Sequence, residues 1–344
     1  MKKLFITAIF TLFAINLLAQ GSEVTNLRLE VRTDYQKEFI DGNKIDANSG
    51  FRGKHINLRL DGNITEGLSY SFRYRLNRAN GLDNFFSATD WLNLKYTASD
   101  NWAFAAGKQI IYIGGYEYDR APIDLYICSE FWHNIACYQF GASSTYTTDS
   151  GNDSFIFQFC ESPFRRNALN VKQEEMFAYN LMWYGKHDWF ESTYSLNAFE
   201  WMPGKFVSFI ALGNQFTFGD FRIQFDYMTR AANIDDMLGK NMSVMTEVLW
   251  KATDKLNVIA KMTYDRNFAD DNADLCVMPG TDLLRAGAVL EYFPIKNYKD
   301  LRMHLSYCFT DGKSPATTAL QPVQTIINTG ITWKVGLLNN RKNN

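Results

Sequence analysis

From residue 27 to 35 the chain alternates, with Leu27, Leu29, Val31, Thr33 and Tyr35 separated by Arg28, Glu30, Arg32 and Asp34. Successive side chains of an extended strand point to opposite faces, so this stretch has one oily and one ionic face. The period returns with Ile56, Leu58 and Leu60 against His55, Asn57, Arg59 and Asp61. It returns again with Leu68, Tyr70, Phe72, Tyr74 and Leu76 against Ser69, Ser71, Arg73, Arg75 and Asn77. Phe221 to Tyr227 and Leu301 to Phe309 repeat it late in the chain. A helix would bring apolar residues back every three or four positions, which these segments do not do. Runs of this kind predict sixteen strands, near 24–36, 52–63, 68–79, 88–98, 102–112, 136–148, 154–161, 175–185, 189–201, 206–218, 221–231, 242–252, 256–266, 282–293, 301–311 and 324–336.

The connections fall into two alternating classes. Short turns such as Thr65-Glu66-Gly67 and Gly219-Asp220 follow the even-numbered strands. Longer loops follow the odd-numbered ones, near 37–51, 80–87, 113–135, 162–174, 232–241, 267–281 and 312–323, with a shorter one at 202–205. No linker or low-complexity block interrupts the series, which predicts one domain over 21–344. Soluble sandwiches alternate too, but their strands average five or six residues. Strands of roughly ten to thirteen suit the apolar band of an outer membrane.

Composition narrows the choice. Aromatics are 15% of the 344 residues and crowd strand ends, as at Trp102, Trp189, Trp250 and Trp333; amphipathic rings favour membrane interfaces. A formal net charge of −2 gives no basic face for nucleic acid. Mean hydropathy is −0.26, and no apolar stretch after the N-terminus is long enough for a membrane helix. Lys2 and Lys3 precede the apolar Leu4–Leu18 stretch, which predicts a secretory leader over 1–20. An exported chain of long alternating strands is a transmembrane antiparallel β-barrel of about sixteen strands, because a closed sheet leaves no backbone group unpaired in lipid.

A barrel of that size encloses a water-filled lumen. With the apolar face in lipid, Arg28, Arg32, Arg59, Arg73, Arg75 and Lys95 become pore-lining bases, accompanied by Glu30, Asp34 and Asp61. These charges either bias the lumen toward anions or pair with one another as a solvated wall. The 113–135 connection carries Glu117, Asp119, Arg120, Asp124 and Glu130 among Tyr116, Tyr118, Tyr126, Phe131 and Trp132. A loop this long and apolar packs on something. The expectation is that this third long loop folds into the lumen, sets its acids against the basic wall and constricts the pore; the alternatives are a cover on the mouth or a subunit contact.

The stretch from Phe51 to Tyr118 resembles the phosphate-selective porin O/P-like family, through Phe51-Arg52 leading into Leu58-Arg59-Leu60-Asp61-Gly62, then Asp90-Trp91-Leu92 and Ala106-Gly107-Lys108-Gln109. The resemblance implies a sixteen-stranded outer-membrane channel, a homotrimer, and a constricting third loop. Phosphate-specific members use a constriction cluster of lysine or arginine. Here Arg120 is the one base between 113 and 135, so phosphate specificity does not carry over. Asn328, Gly330, Trp333 and Val335 resemble the signal read by the barrel assembly machinery.

Little points to an enzyme or a metal. His55, His133, His187 and His304 are scattered between lumen positions and connections, and no nucleophile or phosphate-loop pattern occurs. Asp270, Asp271 and Asp274 suit a solvated loop tip better than a cation site. The five cysteines are either free apolar fillers or include a Cys128–Cys137 bridge. The sequence therefore reads as a Gram-negative outer-membrane porin for passive diffusion of small hydrophilic solutes, with a modest anion preference, no cofactor and no catalytic residues. Its expected partners are membrane lipid, polar or anionic solutes and the assembly machinery. The alternative is a plugged barrel acting as a binding or adhesion receptor.

Overall fold

The computed structural model describes residues 25–78, 85–165, 175–315 and 318–339. The predicted leader lies outside the described residues. Sixteen long strands follow one another: β1 (Thr25–Ile40), β2 (Gly50–Thr65), β3 (Leu68–Arg75), β4 (Thr89–Thr97), β5 (Trp102–Ile110), β6 (Tyr138–Thr147), β7 (Asp153–Glu161) and β8 (Phe177–His187). Then come β9 (Phe190–Met202), β10 (Lys205–Phe218), β11 (Phe221–Ala231), β12 (Asn241–Thr253), β13 (Leu256–Asn267), β14 (Asp282–Tyr292), β15 (Leu301–Ser314) and β16 (Thr318–Asn339). Each is antiparallel to the next, and β1 closes on β16 from Asn26↔Asn339 to Ile40↔Gln324. The result is a closed sixteen-stranded barrel, with a two-residue strand, Asn43–Lys44, folded back onto the end of β1.

The sequence periodicity predicts every one of these strands, with most ends to within a few residues. The long loop expected at 312–323 is mostly strand: β15 and β16 keep pairing as far as Ser314↔Thr318. Strand β3 stops at Arg75 and passes into a 3-10 turn at Leu76–Arg78. His187, expected in a connection, is the last residue of β8. At the other end of the barrel the turns are tight. Phe218 and Phe221 face each other across Gly219-Asp220, with Gly219 at φ 56°, a left-handed conformation that glycine adopts without steric cost.

The two faces of the sheet differ as the alternation requires. Phe157, Leu181, Leu196, Leu305 and Tyr307 are exposed on the outside. At the short-turn end, Trp189 stacks on Phe216 and Phe218, and Trp250 on Phe221, forming part of an interfacial belt. Inside, Gln158, Asn180, Asn197, Ser243, Thr263 and Asp265 are buried.

The inner wall is not ionic throughout, contrary to expectation. Phe199, Val207, Phe209, Ala211 and Met228 also point inward, and they are buried against Ile111, Ile113, Tyr118, Phe131 and Ile135 of the connection between β5 and β6. Removing such side chains from water is worth about 1.5–3 kcal/mol for each large one. That is why apolar residues sit inside a nominally wet barrel.

Leu181 lies midway along β8 and is 48% exposed to the outside. Leu181→Arg should destabilise the inserted barrel by about 2–4 kcal/mol. Urea titration of folding into phosphatidylcholine vesicles measures this.

Candidate functional site

Strand register gathers the predicted bases on one arc of the inner wall. Arg28 of β1 lies opposite Arg59 of β2, Arg59 opposite Arg73 of β3, and Arg73 opposite Trp91 of β4. Like charges facing across strands repel, and three contacts relieve them. Arg59 Nε lies 2.7 Å from Asp61. Arg73 and Arg75 share Asp90, one on each carboxylate oxygen at 2.7 Å. The Trp91 ring lies 4.0 Å from the Arg73 guanidinium and 5.6 Å from that of Arg59. Trp91 is fixed in turn by its N–H to Ser71, whose hydroxyl donates to Asp61. Arg28, Arg59, Asp61, Asn93 and Lys95 border a recess of about 410 Å³ on this arc. Among the described residues no carboxylate pairs with Arg28 or Lys95.

Two bulges shape the arc, and neither is visible in composition. Between Arg32 and Thr33 the register of β1 against β2 slips from His55 to Gly53, so Arg52 comes to face Asp34. Simple alternation from Ile56 would have sent Arg52 outward. The slip between Arg73 and Tyr74 leaves Asp90 over as the extra residue of β4, where it reaches both arginines.

The 111–137 segment is held against the rest of the wall, from β7 round to β16 and β1. Gly114 and Gly115 donate their N–H groups to Ser195 Oγ and Thr193 Oγ1, each at 2.8 Å. A Cβ on Gly213 would strike Thr193 and the Gly115 backbone, so glycine here allows close approach. The N–H groups of Tyr116 and Glu117 both donate to Asp226. Arg120 forms a fork with both oxygens of Glu247 and also donates to Gln224, all at 2.6 Å. Further on, Asp124 receives Arg302 and Lys334, and Tyr126 donates to Glu291 at 2.8 Å. On the return, Ile127 packs on Leu249, Ile259 and Val289. Glu130 pairs with Arg285 at 2.7 Å, while its own N–H donates to Asp265.

Each predicted residue can now be placed. Arg28, Arg59 and Lys95 line the recess of the basic arc, and Arg75 lies on the same arc; Arg73 is buried between Asp90, the Tyr138 hydroxyl and the Trp91 ring and is not a free pore-lining base. Arg32 does not act as a free pore-lining base: it is buried, forks onto Asp34 and donates to the Leu125 carbonyl at 2.6 Å beneath the Tyr126 ring. The acids of the segment do not face the basic arc either. Asp124, Glu130 and Glu117 meet Arg302, Lys334, Arg285 and Lys261 of the far strands. Asp119 stands apart, with the Tyr184 hydroxyl at 3.4 Å as its hydrogen-bond donor. Burial raises the pKa of Asp119, offset in part by that hydroxyl. Burial acts the same way on Asp124 and Glu130, but Arg302 and Lys334 at the first and Arg285 at the second outweigh it, so both lie below the usual carboxylate range. Asp90, Asp226, Glu247 and Asp265 are the important residues that sequence reading missed. The inward parity of Asp226, Glu247 and Asp265 was visible, but their partners sit in a loop without periodicity, whereas Asp90 reaches Arg73 and Arg75 of β3 only through the bulge. The five cysteines are free.

The model of the family described as phosphate-selective porin O and P matches residues 25–180. The resemblance drawn from Phe51–Tyr118 thus holds over a longer stretch. Among solved structures, the outer membrane channel DcaP of Acinetobacter baumannii aligns with a TM-score of 0.63 at 12% identity, covering 90% of this chain and 98% of that one. Salmonella typhi OmpF, in a complex with daunomycin, gives 0.60 at 12%, covering 92% and 98%. In-vitro folded OmpT of Vibrio cholerae, in a trimer form, gives 0.56 at 14%, covering 90% and 99%. The fold is that of outer-membrane porins. No curated protein matches the sequence.

Arg120→Ala would leave Glu247 buried without its partner, at a cost of about 3–5 kcal/mol. Hydrogen exchange should rise across 113–135 and stay unchanged in β1–β4. Acid should act similarly but late. Asp124 and Glu130 have folded pKa values below 3.8 and 4.5, so their contribution to docking is complete above those values and is lost as pH falls beneath them. Channel conductance recorded in planar bilayers should become larger or noisier as pH falls below about 4.

Proposed function

We propose that this chain works as a passive porin of the outer membrane, in which small hydrophilic solutes diffuse along an off-centre, wet path. The path runs beside the basic arc of β1–β4, and the 111–137 segment sets its narrowest point. One observation carries this reading: the segment spends its charges and apolar side chains on β7–β16 and β1, while the recess of Arg28, Arg59 and Lys95 keeps more bases than acids. Transport of this kind needs no catalytic residue, only a diameter and a field. The excess of bases on the arc supports a modest anion preference. Glu117, Asp124 and Glu130 contribute little opposing field, because each already meets a base.

The chain reaches this place as an exported precursor losing residues 1–20, and the assembly machinery reads the β16 signal around Asn328, Gly330, Trp333 and Val335. A homotrimer is the reading favoured by the trimer form of the OmpT neighbour.

Planar-bilayer recording tests the proposal. Discrete nanosiemens-scale steps are expected, with a reversal potential in a salt gradient displaced toward anions. Arg28→Ala combined with Lys95→Ala should move that potential toward zero without abolishing conductance. A silent, correctly folded barrel would instead favour the plugged receptor.

A further inference from the structure

One patch on the outer wall sets a cation among apolar lipid-facing side chains. In β13 the residues Leu256, Val258, Ala260, Met262 and Tyr264 alternate outward, and the next position in that series is Arg266. Arg266 lies one residue from the end of β13 that leads into a long connection, and it faces Met242 across the ladder. Its guanidinium lies 4.3 Å from the centre of the Phe268 ring, which is 40% exposed. Among the described residues it pairs with no carboxylate. Asp282, its register partner on β14, instead accepts the Tyr264 hydroxyl at 2.8 Å. The Arg266 Nε is buried without a hydrogen-bond partner. A guanidinium that is always charged, planar and short of acceptors is suited to a phosphoryl group.

The neighbouring connection adds an apolar element. The Leu238 N–H donates to Thr229 Oγ1, on the outward face of β11, so the stretch at Leu238 folds over the outside of the rim. Leu238 is 72% exposed and holds φ at 71°, a conformation costly for a branched side chain. The Phe268 N–H donates to the Lys240 carbonyl, which ties the two connections together. Lys240 brings a second cation, paired with Asp236 at 2.6 Å. Apolar side chains beside cations, at the outward rim of a barrel, match the boundary between acyl chains and phosphate.

We infer that Arg266, Phe268, Leu238 and Lys240 form a docking site for a phosphorylated glycolipid of the outer leaflet, with Arg266 on a phosphoryl oxygen and the apolar side chains against its acyl chains. The lipid is favoured over a free anion because the cation faces hydrocarbon and is flanked by exposed apolar groups. The inference rests on the outer-membrane location, not on the conduction reading, and it stands if conductance proves silent.

The test uses the leader-free barrel in detergent, with binding of bis-phosphorylated lipid A followed by native mass spectrometry. Arg266→Gln should weaken binding tenfold or more, and Phe268→Ala should weaken it severalfold. Arg266→Lys, which keeps the charge, should restore part of the affinity. Dephosphorylated lipid A should bind the unaltered chain as poorly as lipid A binds the Gln variant. Unchanged heat-modified gel mobility and channel conductance establish that the variants are folded. Equal binding by Arg266→Gln, equal binding of the dephosphorylated lipid, or full competition by millimolar inorganic phosphate would each overturn the proposal.

Discussion

Hydrocarbon offers a backbone amide nothing to bond with, so every strand that crosses it needs a neighbour on both sides. Here that demand is met by the seam of β1 against β16, where fifteen register pairs join the two ends of the chain. Once the seam is closed, the outside of each strand must be greasy, and the inside is free to be anything that something else will satisfy. The rest of the architecture follows from that freedom.

What satisfies the inside differs around the circumference. On β1–β4 it is the wall itself, where arginines are braced by Asp61, Asp90 and the Trp91 face. On β9–β16 it is the 111–137 segment, which brings its own core of Phe131, Tyr118 and Ile127. Two wall carboxylates, Asp226 and Asp265, accept the backbone N–H groups at the starts of the helical turns Tyr116–Asp119 and Glu130–Asn134. The segment is therefore seated by directional bonds to wall groups as well as by apolar contact. Its charged pairs specify position more than they add net stability, since desolvating both partners offsets most of their attraction.

The strands were legible because period two is written in every one of them, and lipid tolerates few exceptions on the outward side. The interior was legible only in part. Arg28, Arg59 and Arg73 could be aligned from parity alone, whereas Arg32 looked identical to them and proved to be an anchor for Leu125 and Tyr126. Nothing local distinguishes a base that meets water from one that meets a loop. The inward Phe199, Phe209 and Met228 were hidden for the same reason, since their partners lie far away in sequence. Asp90 was noticed as part of a motif, but its grip on two arginines depends on a bulge that has no compositional signature.

The slip beside Arg32 has a consequence for how this barrel tolerates change in length. Upstream of it, Phe51 points to lipid against Tyr35 and Arg52 points inward; downstream, Ile56 and Leu58 point to lipid. The two stretches are out of phase, and one surplus residue reconciles them. Losing that residue would let the strand alternate without a break and leave Phe51 and Arg52 where they are, whereas drawing it into the ladder would swap their destinations. At this point of the wall, one residue left out of the pairing decides where its neighbours point.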